Sequence, residues 1–304
     1  MSNIAILYSL KILPRIMNFD FDLRFLDLPE PTGITPGSIM NFISDKDPKR
    51  INFRTNHAKV LRLFPDGNAY VGLPFDKTFE HIARKMLRMS RVLYPKESRY
   101  GRMINKDEYA TFKAFIENVE DIVFLRDCLD LSIALSMHEY IDENGASYRS
   151  PLGEHEYQVK YHPESKEAEA GMSAIVAEFK KRLNELPYFK EADYIMAVPS
   201  AHPFMQDIIK KLTDFKFEDV SSEVKWMDKK GSLKDKVTAD EKLSLIDSWG
   251  FELSADLSLD GKVVLLVDDM YQSGVTMQYV AMKLKEAGAK RVFGICICKA
   301  LSNN

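Results

Sequence analysis

The sequence predicts an α/β protein in two parts: a smaller α+β N-terminal domain over residues 1–150 and a parallel-sheet, Rossmann-like domain over 151–304. Three observations carry that expectation. From about residue 156, amphipathic helical stretches alternate with short apolar runs, the order that builds a parallel sheet covered on both faces. The runs DYIMAV (193–198), KVVLLV (262–267) and RVFGICI (291–297) lack the polar alternation of a half-exposed strand. The run at 262–267 then ends in two adjacent aspartates, with a glycine and a new helix after them, and ligands in such sheets bind beyond the carboxyl ends of strands.

Taken in order, the N-terminal stretch MSNIAILYSLKILPRIM is apolar but interrupted by Lys11 and Arg15, and it has no small-residue cleavage site. It reads as a first strand or helix, not a signal peptide. Proline and glycine over 27–50 predict turns without regular structure. Residues 57–73 read as a hairpin around PDGN. Residues 77–93 show helical spacing, with Phe79, Ile82, Ala83, Met86, Met89 and Val92 on one face. Two helices are expected over 106–118 and 119–141, and 142–155 reads as the linker. In the second part, helices are expected at 166–186, 202–212, 238–249 and 275–289. The third begins with a capping box of Thr238 and Glu241, and the last stops at Gly288. Residues 223–236 form a charged excursion containing a glycine.

Composition narrows the class. The 304 residues, 45% hydrophobic and 29% charged, suit a globular protein of one large or two ordinary domains. A net charge of −3 argues against nucleic-acid binding by the chain as a whole. Of three cysteines, Cys296 and Cys298 lie in an apolar strand and read as core side chains. Cys128 stands alone, so disulfides are not expected and a reducing cytoplasm fits. No apolar run is long enough for a membrane helix. Charge is uneven: residues 77–102 hold eight Lys or Arg against two acids, and 103–145 hold three against ten. Either these elements pack with paired charges, or Arg84, Lys85, Arg88 and Arg91 offer a basic face to a nucleic-acid or protein partner.

The chemistry concentrates in VVLLVDDMYQSGVT, residues 263–276. Two adjacent carboxylates, Asp268 and Asp269, are costly unless something uses them. Vicinal ribose hydroxyls suit them, as does a hydrated Mg²⁺. Gln272, Ser273, Gly274, Val275 and Thr276 turn into a helix, where free N–H groups and the helix dipole favour an anion. Gly274 lets backbone approach closely, and Ser273 and Thr276 add hydroxyl donors. The plainer alternative is a strand ending in an acidic turn with helix-capping hydroxyls. Trp226 and Trp249 read as core or loop anchors more readily than as base-stacking platforms.

This segment resembles the phosphoribosyl pyrophosphate (PRPP) signature of the type I phosphoribosyltransferases. The likeness extends over roughly 156–304 and is nearest to the competence-F-like branch. Its weaker parts are KYHP (160–163), AVPSAHP (197–203) and the stretch 234–253, and none reaches residues 1–150. The resemblance implies that Asp268 and Asp269 hold the ribose hydroxyls and Mg²⁺, and that residues 272–276 hold the 5′-phosphate. It makes Pro199, Ser200 and Ala201 the pyrophosphate loop and 225–236 a flexible hood. Lys225, Lys230, Lys234 or Lys236 would then supply positive charge, with Lys225 and Lys234 joining the two aspartates as catalytic residues. Two departures stand out: the loop SAHPFMQ carries His202 but no Arg or Lys, and Tyr271 and Gln272 replace small residues. The implied activity is transfer or removal of a phosphoribosyl group at ribose C1, in a soluble protein compatible with homo-oligomers. Two other functions stay open. One is a non-catalytic nucleotide sensor with residues 1–150 as output. The other is an accessory or effector protein of a bacterial reverse-transcriptase (retron) defence system.

Overall fold

Seven strands form the sheet that organises the molecule. They are β1 (Arg50–Asn52), β2 (Val123–Leu125), β3 (Leu131–Met137), β4 (Tyr194–Ala197), β5 (Glu218–Asp219), β6 (Val263–Tyr271) and β7 (Arg291–Lys299), in the order β1-β2-β3-β7-β6-β4-β5. From β3 to β5 neighbours pair in parallel, while β1–β2 and β2–β3 pair antiparallel. The computed structural model describes residues 23–56, 60–87, 94–96 and 99–301. The expected first element over residues 1–17 lies outside them.

Strands from both sides of residue 150 therefore share one sheet. β3 runs beside β7 from Leu131↔Phe293 to Met137↔Lys299. The helix expected over 119–141 is replaced by β2 and β3. Every residue of LSIALSM is buried, and an apolar run buried on both faces carries no period to separate strand from helix. The expected linker is a built element as well. Glu139–Ile141 and Ser147–Arg149 form a hairpin, and Ser150 caps helix α4 defined below. A Cβ on Gly153 would lie 2.3 Å from the His138 carbonyl oxygen, so this helix start sits directly on the end of β3. The turn formers of 27–50 are likewise used to start a helix: Thr35 and Ser38 make a capping box, and Pro36 occupies the first turn.

Besides a single helical turn at Phe53–Asn56, the α-helices among the described residues are α1 (Pro36–Ser44), α2 (Phe79–Leu87), α3 (Lys106–Asn118), α4 (Pro151–Tyr161), α5 (Lys166–Glu185), α6 (Phe204–Ile209), α7 (Ala239–Ser248) and α8 (Val275–Glu286). Their apolar faces divide between two cores. Ile175, Phe179 and Leu183 of α5 and Ile208 of α6 join Val263, Leu265 and Val267 of β6. Ile39 of α1, Ile246 of α7 and Val280 and Leu284 of α8 join Val264, Leu266 and Val292 in the other. Alternate residues of β6 thus face opposite layers, as a strand's period of two requires. A small antiparallel sheet (Leu61–Leu63, Ala69–Leu73, Arg99–Ile104, Tyr94–Lys96) carries α2 and α3. Phe79 of α2 packs edge-on against Phe53 and Phe124 and so ties this sheet to the first core.

The basic stretch is partly neutralised within the chain. Arg84 lies 3.9 Å from Asp27, and Lys85 lies 4.0 Å from Glu191 and donates to the Arg24 carbonyl at 2.6 Å. Arg102 pairs with Glu108 of the acidic helix α3 at 3.1 Å. Arg88 and Arg91 lie outside the described residues.

A buried ion cluster joins the loop before β3 to the last turn of α8 and the start of β7. Asp130 is 2.7 Å from Lys285 and 3.4 Å from Arg291, with all three side chains under one-tenth exposed. Its Oδ2 also accepts the Val292 N–H at 2.8 Å. Removing one partner strands the others in low dielectric, so Asp130→Ala is expected to cost about 3–5 kcal/mol. A urea midpoint shift worth less than about 1 kcal/mol would show that water replaces the missing charge.

Candidate functional site

β6 continues past the predicted run and carries both aspartates on its last turns of extended chain. The Asp268 Oδ1 accepts the Asp269 N–H at 2.9 Å. Burial at the strand end, with the adjacent Asp269 carboxylate, pushes the Asp268 carboxyl well above its usual range. Asp269 points to a cation: its Oδ2 lies 2.8 Å from Lys160 Nζ, which is also 2.9 Å from Glu156 Oε1.

Beyond the aspartates the chain turns sharply. Gly274 has φ +76°, left-handed, at the N-cap of α8. A Cβ there would stand 2.2 Å from the Tyr271 hydroxyl. Tyr271, 5% exposed, is a strut under the turn, which accounts for a large residue at this position. Its hydroxyl donates to Asp127 Oδ2 at 3.0 Å, and Asp127 also accepts Ser132 Oγ at 2.6 Å and the Leu129 N–H at 2.9 Å. Burial and the Asp127 charge hold the Tyr271 phenol well above its ordinary value. Gln278, fully buried, donates to the Gly274 carbonyl at 3.2 Å and accepts the Cys128 N–H at 3.1 Å. Lys299 at the end of β7 donates to the Gln272 carbonyl at 3.0 Å. The turn that the sequence marks as an anion cradle is thus held from below by residues 127–132.

Residues 268–277 line a cavity of about 570 Å³. Pro199 and Ser200, which follow β4, form a second side, and the Trp226 indole N–H fixes the Pro199 carbonyl at 2.8 Å. Lys229 and Lys234 form a third, above which the Trp249 indole N–H donates to the Lys230 carbonyl at 2.6 Å. Both tryptophans act as loop anchors. Lys225 and Ala201 do not line the cavity. Lys225 is exposed on a separate two-stranded ladder, Val224–Trp226 paired antiparallel with Phe251–Leu253, and meets Glu252 at 3.2 Å. His202 is exposed, and its Nδ1 accepts the Phe204 N–H at 3.2 Å, so it shapes the start of α6.

The fourth side was not foreseen. It comes from the hairpin and α4, with His138, Arg149, Glu156, Tyr157, Lys160 and Tyr161. The Tyr157 and Tyr161 rings lie 5.1 Å apart, and the Arg149 guanidinium stands 3.8 Å over Tyr157. Of these residues only Arg149 falls in the expected linker 142–155, and KYHP at 160–163 is the one sequence signal on this side. Among the described residues, no group of three or more His, Cys, Asp or Glu could hold a metal ion.

A largely parallel sheet thus carries two carboxylates at its carboxyl edge with a helix start beside them, which is where α/β folds place their ligands. Residues 166–303 match the model of the phosphoribosyl transferase domain, and the C-terminal half of this chain is a type I phosphoribosyltransferase domain. Helix α4 precedes the matched stretch. A solved hypoxanthine-guanine-xanthine phosphoribosyltransferase is similar at 15% identity over 44% of this chain and 75% of that one, with a TM-score of 0.26. No curated protein matches the chain.

Proposed function

We propose that the site binds PRPP or a nucleoside 5′-phosphate and transfers, or removes, a phosphoribosyl group at ribose C1. The observation that carries this reading is the presence, in one cavity, of Asp268, Asp269 and the left-handed helix start at Gly274. In this reading the carboxylates accept the ribose 2′- and 3′-hydroxyls, and the N–H groups and hydroxyls of residues 273–276 take the 5′-phosphate. Ser200, Lys229 and Lys234 face the pyrophosphate. The bond from C1 to the pyrophosphate oxygen breaks with its electron pair leaving on pyrophosphate, and the acceptor's lone pair forms the new bond to C1. Positive charge gathers on C1 and the ring oxygen meanwhile. The protein's work is positioning and charge stabilisation, for which no protein nucleophile is needed.

Phosphoribosyltransferases generally use Mg²⁺ with PRPP. As joint ligands of such an ion, Asp268 and Asp269 fit poorly here. Asp269 is already ion-paired to Lys160 at 2.8 Å, so an ion shared by both aspartates would have to displace that ammonium.

A second reading, a nucleotide sensor that binds without turnover, is favoured by the loop 199–202, which brings no Arg or Lys to the cavity. Thermal shift with PRPP and nucleoside monophosphates tests binding, since a ligand at 100 times its Kd stabilises by about 2.7 kcal/mol. Unchanged melting with all of them would refute both readings. Release of pyrophosphate separates enzyme from sensor. Trypsin cleavage after Lys229 and Lys230 should slow when PRPP is present, because both bonds lie in the segment over the cavity. Equal cleavage would show that this segment does not close on ligand.

A further inference from the structure

We infer that Lys160 is the resident cation of the ribose-phosphate site, standing at Asp269 where a divalent ion would otherwise be held, so that a ribose phosphate binds here without metal. The inference rests on the ribose-phosphate reading above and deepens it.

The geometry places the ammonium between two carboxylates from different elements. Lys160 Nζ lies 2.8 Å from Asp269 Oδ2 on β6 and 2.9 Å from Glu156 Oε1, one turn back on α4. The Glu156 side chain is only 3% exposed, and a carboxylate so buried demands a positive partner. His138 Nε2 stands farther off, 3.7 Å from its other oxygen, so the ammonium that meets Glu156 closely is that of Lys160. Lys160 is therefore held from behind by Glu156 while it reaches Asp269, and is not a surface lysine free to swing away. The helix that carries it is fixed in turn. A Cβ on Gly153 would meet the His138 carbonyl, and one on Gly171 of α5 would stand 3.1 Å from the His155 carbonyl. Burial works against the lysine's charge, but Asp269 and then Glu156 more than offset it and raise the ammonium above its usual value.

An ammonium in contact with a carboxylate blocks the approach of Mg²⁺, which demands oxygen ligands at about 2.0–2.1 Å in octahedral array. A metal would have to break the Asp269 ion pair and sit beside a lysine that Glu156 keeps in place. The cavity has further cations for a phosphorylated ligand in Lys229 and Lys234. The protein's own charges thus do at this site what a bound ion would do. Lys160 also precedes residues 166–303, so this cation comes from outside the matched phosphoribosyl transferase domain.

The test uses the full chain. Calorimetry with ribose 5-phosphate, in EDTA and in excess Mg²⁺, should give wild-type affinities within about 3-fold of each other. Lys160→Met should lose at least about 10-fold in EDTA, whereas Lys160→Arg should retain most of the affinity. In a second arm, Mn²⁺ is titrated into ligand-free protein and free ion is followed by electron paramagnetic resonance. Wild type should show no site tighter than about 1 mM, and Lys160→Met should gain one, because the Asp269 and Glu156 carboxylates are then released. Wild-type binding that needs Mg²⁺, a tight Mn²⁺ site in wild type, or an unchanged affinity in Lys160→Met overturns the inference. If the variant fails to fold, the two wild-type measurements decide. If no ribose phosphate binds with or without Mg²⁺, the ribose-phosphate reading fails, while the Mn²⁺ arm still decides whether the lysine excludes metal.

Discussion

Asp268→Asn combined with Asp269→Asn removes ribose-phosphate affinity by roughly 10²- to 10⁴-fold in a chain that still folds. Hydrogen bonds to a charged acceptor contribute about 1.5–3 kcal/mol each, and two of them about 3–6 kcal/mol, with 1.4 kcal/mol per factor of ten. The fold survives because Val263–Val267 are buried whereas Asp268 and Asp269 sit half-buried at the strand end. Lys160 keeps Glu156 when Asp269 loses its charge, so no ammonium is stranded. Calorimetry with a nucleoside monophosphate reads the loss, and circular dichroism reads the fold. Unchanged affinity in the folded double variant would remove the aspartates from the site.

Gly274→Ala is expected to weaken ligand binding by at least about 100-fold and to destabilise the protein by about 2–4 kcal/mol. Two effects add. A left-handed backbone costs an L-residue about 1–2 kcal/mol. The new Cβ would also lie 2.2 Å from the Tyr271 hydroxyl and 2.4 Å from its ring, so one of them must move. Tyr271 cannot move without leaving Asp127, whose carboxylate is 5% exposed and would lose a donor. If the turn moves instead, the N–H groups of 273–276 shift and the anion cradle opens. Gly145→Ala isolates the first effect: its φ is +83°, with nothing within 4 Å of the added Cβ. Gly274→Ala with Tyr271→Phe should recover part of the second, because the hydroxyl is gone. If Gly274→Ala is no worse than Gly145→Ala, the contact with Tyr271 does not shape the cradle.

Features written in neighbouring residues were legible from the sequence alone. Thr238 and Glu241 form the expected capping box, because a cap is decided within four residues. The long amphipathic stretch folds as Lys166–Glu185, and the runs at 262 and 291 become β6 and β7. The two aspartates and the glycine turn were legible for the same reason: strand, acids, turn and helix follow one another without a break. Tertiary structure alone decided the rest. Whether LSIALSM is helix or strand depends on β7 lying beside it, since a segment buried on both faces has no polar side to reveal its period. That Tyr271 is a strut depends on Asp127, 144 residues away. The packing of α4 likewise brings Lys160 to Asp269, while Lys225 is left on a separate two-stranded ladder facing Glu252. A lysine's role is set by the carboxylate it meets, and for side chains far apart in sequence only the packing of helices on the sheet makes that choice.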